Sequence, residues 1–425
     1  MGRALAPAPA SHRNDIARIA LGKCVFTRPK ASHRGASAFA GLLVYLNSRR
    51  CGGRSMIPIF RPWFDNAEVE AVREVLMSGW VGPGEKVEEL EARFAHYVGA
   101  QHAVSLNSCS AALLLALKTL DIEGGEVITT PLTFVSTNHA ILQNGATPVF
   151  CDIDPETLNI DPKAIAAKIT ARTRAIMVVH FAGHPCDMDE ILSIANQHGI
   201  PVVEDAAHAS GARYKGQMVG GMGTVTCFSF DARKNLSTCD GGMLTTNNSG
   251  LAERARKLRW MGISRGTYDR FRKNGAERRW EYEVGELGYK CYMNDLNAAI
   301  GLVQLGKLES ANAQRREIFL QYGRAFAALD WMQIPVEKPQ VRSAMHAYVA
   351  RVSQRDELID HLGQHNIDAG VHYKPCHLFE VYKPYRTDLP ITNAVWRDLV
   401  TLPLFPSMTE NEIGQVIAAV CDFQP

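Results

Sequence analysis

Two fingerprints of nucleotide chemistry are missing from this chain. No G-x-G-x-x-G follows the first apolar strand pattern, and no G-x-x-x-x-G-K-[ST] occurs anywhere in the 425 residues. Those absences exclude a plain dinucleotide binder and a P-loop enzyme; Gly220-Gly221-Met222-Gly223 reads as a turn instead. Charge of one sign is not in excess either. With 46 Lys and Arg against 44 Asp and Glu the net charge is +2, so no nucleic-acid partner is expected. Long hydrophobic runs are lacking: the piece from Phe39 to Leu46 is far too short to span a bilayer, and no membrane association is expected. The ten cysteines form no C-x-x-C pair and no dense framework. The spacing of Cys227 and Cys239 fits no zinc template, so no metal is expected. Scattered thiols suit a reducing compartment, and the expected location is cytoplasmic.

What is present is ordinary for a globular protein, 46% apolar and 21% charged, over a length that favours a large domain plus a smaller one. Residues 1–55 stand apart as a basic extension, with ten Lys or Arg and the single acid Asp15. They are set aside from the fold as a disordered leader or a start placed too early, with Met56 as the true initiator. From Asn66 the apolar spacing Val69, Val72, Val75, Leu76 predicts a helix closed by Ser78-Gly79, and a second helix spans 85–98. Short apolar strands then alternate with helices of about ten residues, up to the strand that ends at Asp205. That alternation predicts βαβ units and a mostly parallel sheet. Helices are expected over 294–311, 315–329, 355–365 and 410–420, and the Arg-rich stretch 262–282 reads as an exposed loop. The expected division is a large domain at 56–310 and a small C-terminal α/β domain at 311–425.

The segment 201–247 concentrates the chemistry. An apolar run ends abruptly in Glu204-Asp205, and a second run, 225–230, leads into a polar loop holding the lone Lys234. Ligands of parallel sheets sit outside the carboxyl ends of the strands. An Asp and a Lys there are compatible with a salt bridge, a metal-phosphate site or a Schiff-base cofactor. Upstream, the turn Asn107-Ser108-Cys109-Ser110 joins a strand to a helix, where the first N–H groups and the helix dipole can cradle a phosphate. A plain Ser cap is the simpler alternative.

Several motifs in one order carry a resemblance: PLTFVST (131–137), DIDPETLNID (152–161), VEDAAHASG (203–211), CFSFDARKN (227–235), DGGMLTT (240–246), ELGYKCYMNDLNAAIGLVQL (286–305) and TLPLFPSMTE (401–410). Together they are similar to the DegT/DnrJ/EryC1/StrS family of pyridoxal-phosphate (PLP) nucleotide-sugar aminotransferases. The resemblance covers nearly everything from Met56 to Pro425. It implies an aspartate aminotransferase-like α/β fold, fold type I among PLP enzymes.

For individual positions the resemblance implies the following. Lys234 is the lysine that condenses with the cofactor aldehyde, and Asp205 is the carboxylate on the ring nitrogen. Cys109 and Ser110 stand at the phosphate turn, with Cys109 replacing the usual Gly, and Ser229 is its hydroxyl donor. Phe134 stacks on the ring, and His208 lies beside it at a position held by Gln or His. Lys290 replaces an Asn that reaches the neighbouring subunit's phosphate, so a homodimer with shared active sites is expected. Trp80, His372, Tyr373 and His377 are candidate substrate contacts, and Arg265–Arg279 a candidate for a diphosphate. The implied reaction moves an amino group from L-glutamate to a nucleotide-linked keto sugar, with a 4-keto sugar favoured, for surface-glycan or lipopolysaccharide synthesis. Two alternatives share the fold: a PLP-dependent sugar dehydratase, whose family members carry His in place of the lysine, and a non-catalytic regulator.

Overall fold

The computed structural model describes residues 50–51, 54–264 and 280–425. The basic extension, apart from four of its last six residues, and the Arg-rich stretch 265–279 lie outside them. The central sheet has seven strands: β1 (His102–Leu106), β2 (Glu126–Thr129), β3 (Thr147–Phe150), β4 (Thr173–Val179), β5 (Val202–Asp205), β6 (Val225–Ser229) and β7 (Gly242–Thr246). Their spatial order is β1-β7-β6-β5-β4-β2-β3. Neighbours from β6 to β3 pair in parallel. Only β7 runs against its neighbours β6 and β1. The carboxyl ends of β1 to β6 therefore open on one edge of the sheet.

The strands are apolar on both faces because helices cover both. Side chains alternate across a strand: Val104, Val127, Met177, Val203, Val225 and Leu244 share one core. The other face divides between a cluster with Ile128, Ile176, Val178 and Val202 and one with Ala103, Phe228 and Met243. The first face packs helix α3 (Cys109–Thr119), whose buried stripe includes Leu113, Ala116 and Leu117. The same core takes in Ala140 and Ile141 of α4 (Val135–Gln143) and Leu258 of α6 (Ser249–Leu258). On the opposite side lie α2 (Glu85–Val98), with Val87, Leu90 and Phe94, and α5 (Met188–His198), with Ile191. Helix α1 (Asn66–Ser78) opens with a capping box, Asp65 taking the Ala67 N–H and Glu68 taking the Asp65 N–H.

The two helices expected over 294–311 and 315–329 are one continuous helix, α7 (Asp295–Phe326), 32 residues long. A break is expected between 311 and 315, but Asn312 does not end the helix. Its side chain donates to the Ser210 carbonyl at 2.9 Å and accepts from Asn235 at 2.8 Å, so its polarity serves a tertiary contact. The second half of α7 shares a separate core with strand β8 (Tyr348–Val352), helix α8 (Arg355–Gln364), strand β9 (Leu399–Leu402) and helix α9 (Glu410–Asp422). No described helix is long and apolar enough to cross a membrane.

Candidate active site

A cavity of about 940 Å³, open mouth included, lies at the carboxyl edge of the sheet. The ends of β1, β2, β4, β5 and β6 contribute to it. Beyond β1 come Ser108, Cys109 and Ser110; beyond β2, Thr133 and Phe134; β5 ends on Asp205, followed by His208; β6 ends on Ser229, followed by Asp231 and Lys234. The C-terminal part adds His346, His372 and Tyr373. Nine of the sequence-chosen residues thus meet here: Cys109, Ser110, Phe134, Asp205, His208, Ser229, Lys234, His372 and Tyr373.

Alternation along β5 separates two adjacent carboxylates. Asp205 turns into the cavity, where the Thr137 hydroxyl donates to it at 2.7 Å and the Ala207 N–H at 3.0 Å. Glu204 lies wholly buried, bonded to His180 Nε2 at 2.9 Å, the Gly223 N–H at 2.7 Å and the Thr226 hydroxyl at 2.8 Å. Burial pushes the Asp205 carboxyl up, and the Thr137 and Ala207 donors and the Lys234 charge partly offset it. A cation placed against Asp205 would supply the missing compensation. Burial likewise lowers the Lys234 amine, opposed by Cys109, Asp205 and Asp231, which favours the neutral, nucleophilic form.

The turn before α3 is seated by a glycine. A Cβ on Gly242 would stand 2.6 Å from the Cys109 nitrogen and closer still to the Ser108 carbonyl. Only glycine lets β7 pass directly beneath that turn. The Ser108 hydroxyl accepts the Ala111 N–H at 3.2 Å, capping the helix. Cys109 and Ser110 then line the cavity at the helix's positive end. Phe134, 54% exposed, stands at the rim.

Four rings form a column on one wall. Phe60 stacks on His346 at 5.2 Å between centroids, His346 on His208 at 4.2 Å, and His208 faces Tyr373 at 6.1 Å. The Tyr373 hydroxyl meets His208 Nε2 at 3.2 Å, while the buried Nδ1 of His208 has no partner among the described residues. His346 Nδ1 donates to the Asn235 amide oxygen at 2.9 Å. The Asn235 amide nitrogen in turn donates to the Ala344 carbonyl at 2.7 Å and to Asn312, which anchors the residue next to Lys234. Burial keeps His208 and His346 well below the usual imidazole range. It brings His372, which shares a 2.9 Å hydrogen bond with the Thr401 hydroxyl, down to about 4.

Three sequence choices fall elsewhere. His377, 2% exposed, is bonded to Asn393 at 2.9 Å beside Phe150. It is buried and does not line the cavity. Trp80 lines another depression, with Glu74, Ser78 and Asp295, and its indole N–H donates to the Pro83 carbonyl at 3.1 Å. Lys290 is exposed outside its own chain's cavity, 5.9 Å from the Trp260 ring centroid. The sequence analysis missed Thr137, Asn235 and His346. Thr137 and Asn235 lie inside motifs already singled out, one helical turn past Phe134 and one residue past Lys234. His346 carries no signal in the sequence.

A seven-stranded sheet of this order, with a lysine, a carboxylate and a helix-capped turn around one cavity, defines a fold type I pyridoxal-phosphate enzyme. The chain belongs to the DegT/DnrJ/EryC1/StrS aminotransferase family, which matches residues 62–421. It is 44% identical over 378 residues to the spore coat polysaccharide biosynthesis protein SpsC of Bacillus subtilis (strain 168), covering 86% of this chain and 96% of that one. Among solved structures, the aminotransferase TlmJ from Streptoalloteichus hindustanus is 35% identical with a TM-score of 0.81, covering 86% of this chain and 98% of that one. Spr1654 from Streptococcus pneumoniae in its PLP form is 32% identical with a TM-score of 0.79, covering 85% of this chain and 97% of that one. The protein is a PLP-dependent aminotransferase. The donor set fits that cofactor: a helix N-terminus for a phosphate, a buried carboxylate lacking a cation, an orphaned imidazole nitrogen and a depressed lysine.

Proposed function

We propose that the chain transfers the amino group of L-glutamate to a nucleotide-linked keto sugar, most favourably a 4-keto sugar, for the synthesis of a surface polysaccharide. The observation that carries the chemistry is the convergence of Lys234 and Asp205 on one cavity at the sheet edge. When bound, PLP supplies an aldehyde that accepts the amine and a ring that withdraws electrons from the donor's α-carbon. Lys234 Nζ would be the attachment point and, once released, the base placed to take the donor's α-proton. Asp205, braced by Thr137 and Ala207, accepts the N–H of a protonated ring nitrogen. Cys109, Ser110 and Ser229 would hold the phosphate, Phe134 would stack on the ring, and His208 would lie beside it. The exposed Phe134 and the ring column that ends in Tyr373 suit the apolar faces of a sugar, while His372, neutral at physiological pH, donates or accepts without adding charge.

Support for the sugar substrate comes from the relatives: SpsC is named for polysaccharide biosynthesis, and CalS13 from Micromonospora echinospora is a sugar aminotransferase. Lys234 itself argues against the dehydratase alternative. Retention of Asp205 and Ser229 beside it argues against the regulator. A homodimer is part of the proposal: Lys290 lies outside its own cavity, in a stretch that also exposes Leu287, 91% accessible. Residues 56–310 would form the cofactor domain and 311–425 the small domain. A cytoplasmic setting agrees with the free thiols of Cys109, Cys151, Cys227 and Cys291. Mass spectrometry of products from UDP-, GDP- and dTDP-linked keto sugars, each with glutamate, tests the assignment. An amino sugar one nitrogen richer from at least one substrate is expected; no product from any nucleotide-linked sugar, alongside turnover of free keto acids, would overturn it.

A further inference from the structure

Two histidines far along the chain are used by none of this chemistry. His361 lies in the last turn of α8, and His365 caps it, so their i, i+4 spacing puts both rings on one face. The ring centroids are 4.4 Å apart. Asp422, the last residue of α9, approaches the same face. One nitrogen from each ring and one Asp422 oxygen all lie within 4.8 Å of one another.

Each ring already has one nitrogen committed to a carbonyl oxygen, and therefore protonated there. His361 Nε2 donates to the Ala419 carbonyl at 2.9 Å, and His365 Nδ1 donates to the His361 carbonyl at 2.9 Å. The other nitrogen of each ring is left as a lone pair. A metal-ligating imidazole is oriented in this way, with its far N–H given to a backbone carbonyl or a carboxylate. Phe423 packs on His361 at 5.4 Å and steadies that ring, whereas His365 and Asp422 are exposed and no core packing accounts for their convergence.

We infer that His361, His365 and Asp422 form a binding site for a divalent transition-metal ion on the outer face of the C-terminal part, separate from the catalytic cavity. Two imidazoles and one carboxylate suit Zn²⁺, Cu²⁺ or Ni²⁺ over Mg²⁺ or Ca²⁺, which take oxygen ligands. Three protein ligands leave the fourth position to water. The site joins α8 to α9, so the bound ion acts as a clasp on the chain's last helix. The cysteine spacing gives no expectation of a metal; the His-x-x-x-His spacing of His361 and His365 is the sequence signal for this site.

Calorimetric titration of the chelator-washed holoenzyme with zinc chloride tests the inference, repeated on His365→Ala and on Asp422→Asn. Both positions are exposed, so both variants are expected to fold. The expected result is one Zn²⁺ per chain, binding weakened about tenfold or more by His365→Ala and less by Asp422→Asn, and a zinc-dependent rise in melting temperature that is largest in the wild type and shrinks in the same order. Transamination with PLP bound is expected to be the same in all three proteins. No zinc binding, or equal binding in wild type and His365→Ala, would overturn it.

Discussion

Asp205 is the residue at which stability and function pull apart. Burial raises its carboxyl, so its own contribution to folding without the cofactor is most favourable at low pH, where the group is protonated. That contribution is lost as pH rises through the raised folded value. Replacing it with Asn removes the burden at neutral pH while keeping the Thr137 contact. The Asp205→Asn apoprotein is therefore expected to resist urea at pH 7.5 at least as well as wild type. Its kcat/KM is expected to fall by roughly 10²-fold or more, as for other lost electrostatic partners. A urea midpoint well below wild type would contradict the burial argument. Glu204, its neighbour, behaves oppositely. Glu204→Ala would strand His180, Thr226 and the Gly223 N–H in the interior, at a cost on the order of 1–3 kcal/mol for each unsatisfied group, readable in the same urea experiment.

Sequence reasoning selected Asp205 over Glu204 through the motif alone. The physical reason, that strand alternation turns one carboxylate to the cavity and the other to the opposite core, needed the register of β5 against β6. Lys234 and Ser229 were legible in the same way. The bracing of Lys234 was not: Asn235 bonds to His346, more than a hundred residues later, and nothing local in the sequence records that contact.

At the scale of elements, the turn between β1 and α3 depends on β7 passing close beneath it. The glycine pair Gly241-Gly242 stands in the DGGMLTT motif, but nothing local marks it as the floor of the turn before α3. Gly242→Ala would push that turn outward. A displacement near 1 Å is expected to lower kcat/KM by about 10²-fold and to weaken PLP retention on dialysis. A variant that keeps PLP as tightly as wild type would contradict it. Helix α7 teaches the complementary lesson. The break expected between 311 and 315 is the point where the helix passes the site and Asn312 reaches Asn235 and Ser210. Helix boundaries elsewhere were legible because caps are local, as at Asp65 and Thr409; α7 was misread because the contact at Asn312 is tertiary.

For the whole molecule, His208, His346 and His372 are held neutral by burial. Below about pH 6.5 the unfolded chain takes up protons that the fold refuses. Stability of the apoprotein is therefore expected to decline as pH falls from 6.5, with the His372 share lost by about pH 4. Urea midpoints at pH 7 and pH 5 check this, and His372→Phe should flatten part of the slope. The proposed dimer makes its own prediction. If Lys290 completes the partner's site, mixing inactive Lys234→Ala with impaired Lys290→Ala and allowing subunits to exchange should restore activity, because one of the two shared sites in each heterodimer is then intact. No recovery after exchange would argue for self-contained sites.

All of this rests on Lys234 as the attachment point for the cofactor, which one chemical experiment reads directly. The purified protein with PLP is reduced by borohydride, digested and mapped by mass spectrometry, with and without prior exposure to glutamate. The predicted result is a pyridoxyl mass on the peptide carrying Lys234, lost when glutamate is added before reduction because the amine form leaves that lysine free. A pyridoxyl group on another lysine, or labelling unaffected by any amino donor, would contradict it.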